Sequence, residues 1–159
     1  MKKEPESAGP WDSGIIIRDT TESDLETIVR LEQDPETAPF ILPGTLAQHR
    51  ADLIRPDLRY LTVCKVDDGR ILGFLILILE NNCLGLKRMV IGPKGRGYGR
   101  AALDVVEKMV RRQNVDRIWL DVFLDNLRAR RLYEGAGYRL VQEADFFGRP
   151  LLVYEKRLF

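Results

Sequence analysis

Residues 92–100 read GPKGRGYGR, directly after the apolar run RMVI (88–91) and directly before AALDVVEKMVRR (101–112). Gly95, Gly97 and Gly99 fall on alternate positions, with Lys94, Arg96 and Arg100 between and beside them. In the segment that follows, Ala102, Leu103, Val106 and Val110 share one helix face, whereas the preceding run reads as a strand. The stretch is therefore a strand-to-helix turn. The first turn of a helix carries unpaired N–H groups and the positive end of the helix dipole. Glycines let the backbone take positive φ and come close to a ligand. Together with the basic side chains at the rim, this is a cradle for an anion such as phosphate or pyrophosphate. A solvated surface turn is the alternative reading of the same residues.

Working outward, LGLKRMVI (84–91) is the strand before the turn and DRIWLDVFL (116–124) the strand after its helix. A strand-helix-strand unit of that length suits a right-handed parallel crossover. Upstream, GIIIRD (14–19) is a short strand. Thr21 and Asp24 open a helix carrying Leu25, Ile28 and Val29, and TLAQHRADLIR (45–55) is a second amphipathic segment. RYLTVCKV (59–66) and RILGFLILILE (70–80) form a hairpin about DDG (67–69). Downstream, NLRARRLYEGAG (126–137) is a helix stopped by Gly137, and YRLVQEA and PLLVYEKRL are two strands joined at DFFGR. The order β-α-α-β-β-β-α-β-α-β-β predicts one α/β domain over 14–159, a mixed sheet with helices on its faces. Residues 1–13, polar and containing Pro5, Gly9 and Pro10, are expected to be a flexible N-terminal tail.

The 159 residues suffice for a single well-packed domain. A formal net charge of +1 argues against a nucleic-acid binder that works by neutralising phosphates. MKKEPESAGPWDSG lacks the apolar stretch of a secretory signal, and no run approaches the roughly 20 apolar residues of a membrane span. Cys64 and Cys83 form neither a CxxC pair nor a metal spacing and are expected as buried thiols in a reducing compartment. A cytoplasmic protein with no membrane or nucleic-acid partner is the expectation. His49, the one histidine, rules against Ser-His-Asp and Cys-His catalysis and is expected near the surface. No metal site is expected.

Two nucleotide motifs fail. A P-loop needs G-x-x-x-x-G-K-[ST], and a dinucleotide fold needs G-x-G-x-x-G; neither is present. K-G-R-G-Y-G instead resembles the R/Q-x-x-G-x-G/A signature of the GNAT superfamily of acyl-CoA-dependent N-acyltransferases, with Lys94 where Arg or Gln is usual. WLDVFLDNLRARRLYEGAGY resembles that family's later motif, an L-x-V strand followed by N-x-x-A-x-x-L-Y-x-x-x-G-F/Y, matched by Asn126, Ala129, Leu132, Tyr133, Gly137 and Tyr138. The resemblance covers about residues 14–157. It implies acetyl-CoA as the acyl donor, a mostly antiparallel sheet splayed between strands 4 and 5, and acetyl transfer to an amine, either a peptide N-terminus or a small molecule.

By the same resemblance, Lys94, Gly95, Arg96, Gly97, Tyr98, Gly99 and Arg100 hold the diphosphate of the donor. Backbone groups of Met89, Val90 and Ile91 pair with its pantetheine arm, and Asn126 either contacts that arm or caps its helix. Tyr133 is the general acid to the departing thiolate. The ribosomal-protein N-terminal acetyltransferases carry a glutamate base in W-L-E-V-x-x-x-N, and WLDVFLDN puts Asp121 in that place. Asp121 alternates with Trp119 and Phe123 on one strand face, so it is either a base or half of an ion pair or hydrogen bond that orders the strand. Glu80 is the second candidate base, or else the solvated end of its strand. Asp125 belongs to the turn into the helix, and Arg128, Arg130 and Arg131 to a solvated helix face. Acceptor walls are expected from 34–58 and from DFFGR, with Glu32, Asp34 and Glu36 either solvated or attracting a cationic amine. An edge strand offers a route to a homodimer. The competing classes are a non-catalytic acyl-CoA sensor and a nucleotide-binding module.

Overall fold

The hairpin predicted about DDG forms the middle of a single mixed sheet in the computed structural model, which describes residues 14–159 and the backbone of Glu6 and Ser7. In chain order the elements are β1 (Ile15–Asp19), α1 (Leu25–Glu32), α2 (Leu46–Leu53), β2 (Leu58–Lys65), β3 (Ile71–Glu80), β4 (Cys83–Ile91), α3 (Tyr98–Arg111), β5 (Arg117–Phe123), α4 (Leu127–Gly135), β6 (Arg139–Phe146) and β7 (Arg149–Arg157). The sheet runs β1-β2-β3-β4-β5-β7-β6, with Glu6–Ser7 paired outside β1. The rest of the expected tail lies outside the described residues.

Local chemistry places the helix starts. The Asp24 carboxylate accepts from the Thr21 amide at 2.8 Å and from both Arg18 Nη atoms at 2.7 and 2.9 Å, so α1 begins where Thr21 and Asp24 predict. Thr45 and Gln48 cap α2 reciprocally. At the hairpin in DFFGR, Phe147 and Gly148 both take positive φ, 48° and 84°, the requirement of a two-residue turn.

Two cores form because alternate residues of each strand face opposite ways. On one face α3 buries Ala102, Leu103, Val106 and Val110, the stripe read from the sequence, against Leu75, Leu77, Ile118 and Leu120. On the other, Leu25 and Ile28 of α1 meet Tyr60, Phe74, Ile76 and Val90. Each such aliphatic side chain stabilises the fold by about 1.5–3 kcal/mol. Cys64 is buried within the sheet, whereas Cys83 is only half-buried.

All neighbouring strands are antiparallel except β4 and β5, the pair that α3 connects. Their parallel ladder holds only at Cys83↔Arg117, Leu84↔Ile118 and Gly85↔Trp119. Beyond it the strands part. Two features accompany the parting. Against β3, Leu86 faces Leu77 and Arg88 faces Ile76, so Lys87 is an extra residue that bends β4. At the last rung the Trp119 ring lies so close over Gly85 that an added Cβ would stand 2.6 Å from it. The result is a V open toward the C-terminal ends of β4 and β5, where the glycine turn also lies.

Candidate active site

The turn after β4 has the backbone its glycines predict. Gly95 and Gly97 are left-handed, with φ of 72° and 79°, and Gly97 is the N-cap of α3. The first helical hydrogen bond runs from the Ala101 amide to the Gly97 carbonyl, so the amides of Tyr98, Gly99 and Arg100 precede it and point out of the helix end. Gly99 serves a different need. A Cβ there would lie 3.1 Å from Leu132 Cδ2, so its absence lets α3 and α4 approach.

These residues line a groove of about 300 Å³ together with Met89, Val90, Ile91, Lys94, Arg96, Asn126 and Tyr133. Every residue the sequence assigned to the donor thus lies along one hollow. Its floor is the free edge of β4. The Gly92 amide donates to Leu72 and the Val90 carbonyl crowds Gly73, so both face β3. Strand alternation then turns the polar groups of Met89 and Ile91 toward the opening, and those of Val90 away from it.

The basic side chains are not all where the sequence put them. Lys94 turns inward, donating to the Ile91 carbonyl and to Thr37 Oγ1 at 3.1 Å. Its burial holds its pKa below the usual lysine value. Arg100 ties α3 to α4, with Nη1 donating to the Gly135 carbonyl at 2.9 Å and Nε to Asp104 at 3.3 Å. Arg96 and Arg128 are exposed along the groove, and neither has a hydrogen-bond partner among the described residues.

The groove leads to a second hollow of about 230 Å³ between the arms of the V, lined by Arg88, Asp121, Phe123, Asn126, Tyr133 and Phe146 among others. Tyr133 lines both. The residue is 6% exposed, and its ring meets Tyr138 edge-on at 5.9 Å. Its hydroxyl has no hydrogen-bond partner among the described residues, and burial, then the nearby Asp121 charge, pushes its pKa well above the usual phenol value. Asn126 caps α4, its Oδ1 accepting from the Ala129 amide at 3.3 Å, and also lines both hollows.

Asp121 is open to solvent through the cleft, yet protein surrounds it on its other sides. That desolvation raises its carboxyl pKa, with Arg88 pulling in the opposite direction. No hydrogen bond or ion pair holds it among the described residues, so the strand-ordering alternative lacks a partner. Glu80, the second candidate base, is not brought to the site. It pairs with Cys83 at the closed end of the V and lines a different hollow.

A model of the acetyltransferase (GNAT) family matches residues 25–138, which include the glycine turn, Asp121 and Tyr133. The chain belongs to this family. Acetyl-CoA is the acyl donor of GNAT acetyltransferases. Among solved structures, the spermidine N-acetyltransferase from Vibrio cholerae in complex with CoA and spermine superposes with a TM-score of 0.80 at 18% identity, over 92% of this chain and 97% of that one. The ribosomal-protein-S18-alanine N-acetyltransferase from Escherichia coli gives 0.77 at 17% identity, over 91% and 94%. Likeness at that identity establishes the GNAT fold. A mycothiol acetyltransferase from Beutenbergia cavernae is 42% identical over 59 residues, 37% of this chain and 20% of that protein. The chain spans less than half the length of the curated relatives it matches. No helix among the described residues is long and apolar enough to cross a membrane.

Within this GNAT frame, several residues depart from their sequence reading. His49 is 3% exposed, not near the surface, and Glu32 is fully buried against it rather than solvated. Asp34 caps its own turn by accepting from the Glu36 amide at 2.8 Å, and Glu36 lines the groove beside the glycine turn. Arg130 stays partly open to solvent while donating to the Leu124 carbonyl at 3.0 Å and to Tyr154. Arg88 is a cleft residue that sequence reading missed. Its position after the bulge was the hidden signal, since the extra residue decides which face it takes.

Proposed function

We propose that this chain transfers an acetyl group from acetyl-CoA directly to an amine, without an acyl-enzyme. When bound, the donor supplies a thioester whose carbonyl carbon accepts the attacking nitrogen. The amides of residues 95–100 and the Arg96 charge hold its diphosphate, and the open edge of β4 at Met89 and Ile91 hydrogen-bonds its pantetheine arm. The Met89 amide polarises the thioester oxygen.

Asp121, directly or through one water, takes the proton that an ammonium must lose before its nitrogen can attack. Tyr133 gives its hydroxyl proton to the departing thiolate. Its raised pKa suits that role, because the phenol stays protonated until the thiolate forms. The ammonium gives up two protons as the carbon–nitrogen bond forms and the carbon–sulfur bond breaks. The first, taken by Asp121 before attack, passes to solvent as the net proton released. The second, lost from the nitrogen after attack, returns through cleft solvent to Tyr133 in place of the one given to sulfur.

The observation that carries this reading is the placement of Tyr133 where the donor groove meets the cleft, with its hydroxyl unpartnered among the described residues and Asp121 close by. The test is CoA-thiol release from acetyl-CoA across a panel of amines, with CoA titrated separately into isotope-labelled protein. Turnover, with amide shifts centred on 95–100, is the expected outcome. Tight CoA binding with no turnover on any amine would make the chain a sensor, and binding away from those amides would remove the cradle.

A further inference from the structure

The charges in the acceptor cleft restrict the kind of amine that fits it. Arg88 follows the bulge at Lys87 and shares a sheet face with Val90, packed toward α1. Asp121 lies on the same face across the V, alternating with Trp119, whose ring covers Gly85. Arg88 and Asp121 therefore flank one space from opposite arms, close enough for the guanidinium to influence the carboxyl.

A buried anchor fixes Arg88. Its Nη1 donates to Oε2 of the fully buried Glu32. The other carboxylate oxygen takes His49 Nε2 and the Gly44 amide, and His49 Nδ1 shares a 2.9 Å hydrogen bond with the Tyr60 hydroxyl. This network consumes one guanidinium nitrogen. Nε and Nη2 have no partner among the described residues, and they are two donors of a planar fork that matches a carboxylate. Lys87 also lines the cleft and makes no hydrogen bond among the described residues. Asp121 is the one carboxylate of the lining, Asn126 and Tyr133 are polar where the cleft meets the groove, and the other walls are mostly apolar, including Phe40, Ile41, Phe146 and Leu151. A polyamine would offer no acceptor to the open Nε and Nη2 donors of Arg88, whose charge Glu32 already pairs, and would place its extra positive charge beside Lys87. An amine with its own carboxylate would accept from that fork and offset the Lys87 charge.

Building on the acetyl-transfer reading, we infer that the acceptor is an apolar amino acid whose carboxylate is taken by Arg88 while its amine faces Asp121. Arg88 is then a specificity-determining residue, and Glu32 the positioning residue behind it.

The experiment measures CoA-thiol release with L-phenylalanine, L-phenylalaninamide and spermidine as acceptors. The carboxamide is the less basic amine, so more of it is free at neutral pH, which biases the comparison against the expected result. Phenylalanine should nonetheless exceed both others in kcat/KM by roughly tenfold or more, the worth of a hydrogen bond to a charged group. Arg88→Lys keeps the charge beside Glu32 and loses the fork; it should erase most of that advantage through the KM of phenylalanine rather than through kcat. Equal use of acid and carboxamide, or a preference for spermidine, overturns the inference and leaves acetyl transfer standing. Absence of turnover with every amine, in this set and in a wider panel, overturns both.

Discussion

Tyr133→Phe separates the chemistry of the site from its packing, because the two respond with opposite sign. Tyr133 is 6% exposed at the junction of the two hollows, and its hydroxyl has no hydrogen-bond partner among the described residues. Burying a hydroxyl unpaired costs about 1–3 kcal/mol on protein mutational scales. Phenylalanine keeps the edge-on contact with Tyr138 and removes that cost. The variant should therefore be at least as stable as the parent, by up to about 1 kcal/mol, which raises Tm by about 2–4 °C in a domain of this size. Loss of the proton donor proposed for the thiolate should lower kcat by roughly 10²–10³-fold. CoA affinity should hold, since the proton is needed only as the carbon–sulfur bond breaks. Thermal unfolding, CoA calorimetry and thiol release give the three readouts. A variant that is clearly less stable would show the hydroxyl to be a structural hydrogen bond, and one with unchanged kcat would remove the acid.

Asp121→Asn should lower kcat/KM by roughly 10²-fold. In the parent, the acidic limb of kcat/KM should lie above the ordinary aspartate value of 3.8, because burial raises this carboxyl, and the limb should vanish in the variant. Stability follows the same sign: the folded state favours the protonated form, so that contribution is present at low pH and lost as pH rises through the raised pKa. Asp121→Asn should hence be slightly stabilising at neutral pH by denaturant titration, and a destabilised variant would contradict the unpaired geometry. Gly97→Ala meets no atom within 4 Å but must hold φ at 79°, at a cost of about 1–2 kcal/mol, and should weaken CoA binding. Gly97→Asn, which tolerates that conformation, should lose less, and equal affinities for all three proteins would sink the cradle. Glu32→Ala leaves Arg88 and His49 without their buried carboxylate and should cost about 3–5 kcal/mol in urea unfolding; a loss below about 1 kcal/mol would mean that the network is not buried in solution.

By itself the sequence determined the parts whose cause is local. The periodicity of Ala102, Leu103, Val106 and Val110 gives the buried stripe of α3, positive φ at Gly95 and Gly97 gives the turn that opens that helix, and Thr21 with Asp24 and Thr45 with Gln48 give the helix starts. Each depends on backbone sterics or hydrogen bonds among residues a few positions apart. The motif positions of Tyr133 and Asp121 were legible for the same reason, one lying on a short helix and the other on the strand just before it.

Tertiary structure alone decided which charged groups are free. Glu32 meets His49 across 17 positions and Arg88 across 56, and Lys94 meets Thr37 across 57. Composition makes such residues look solvated, because charged side chains usually are. They are buried here only because α1 and α2 pack on the sheet and because one extra residue in β4 sets the face that Arg88 occupies. A chain read in order cannot show that face. It is settled when the strands pair and the desolvated charges must find partners.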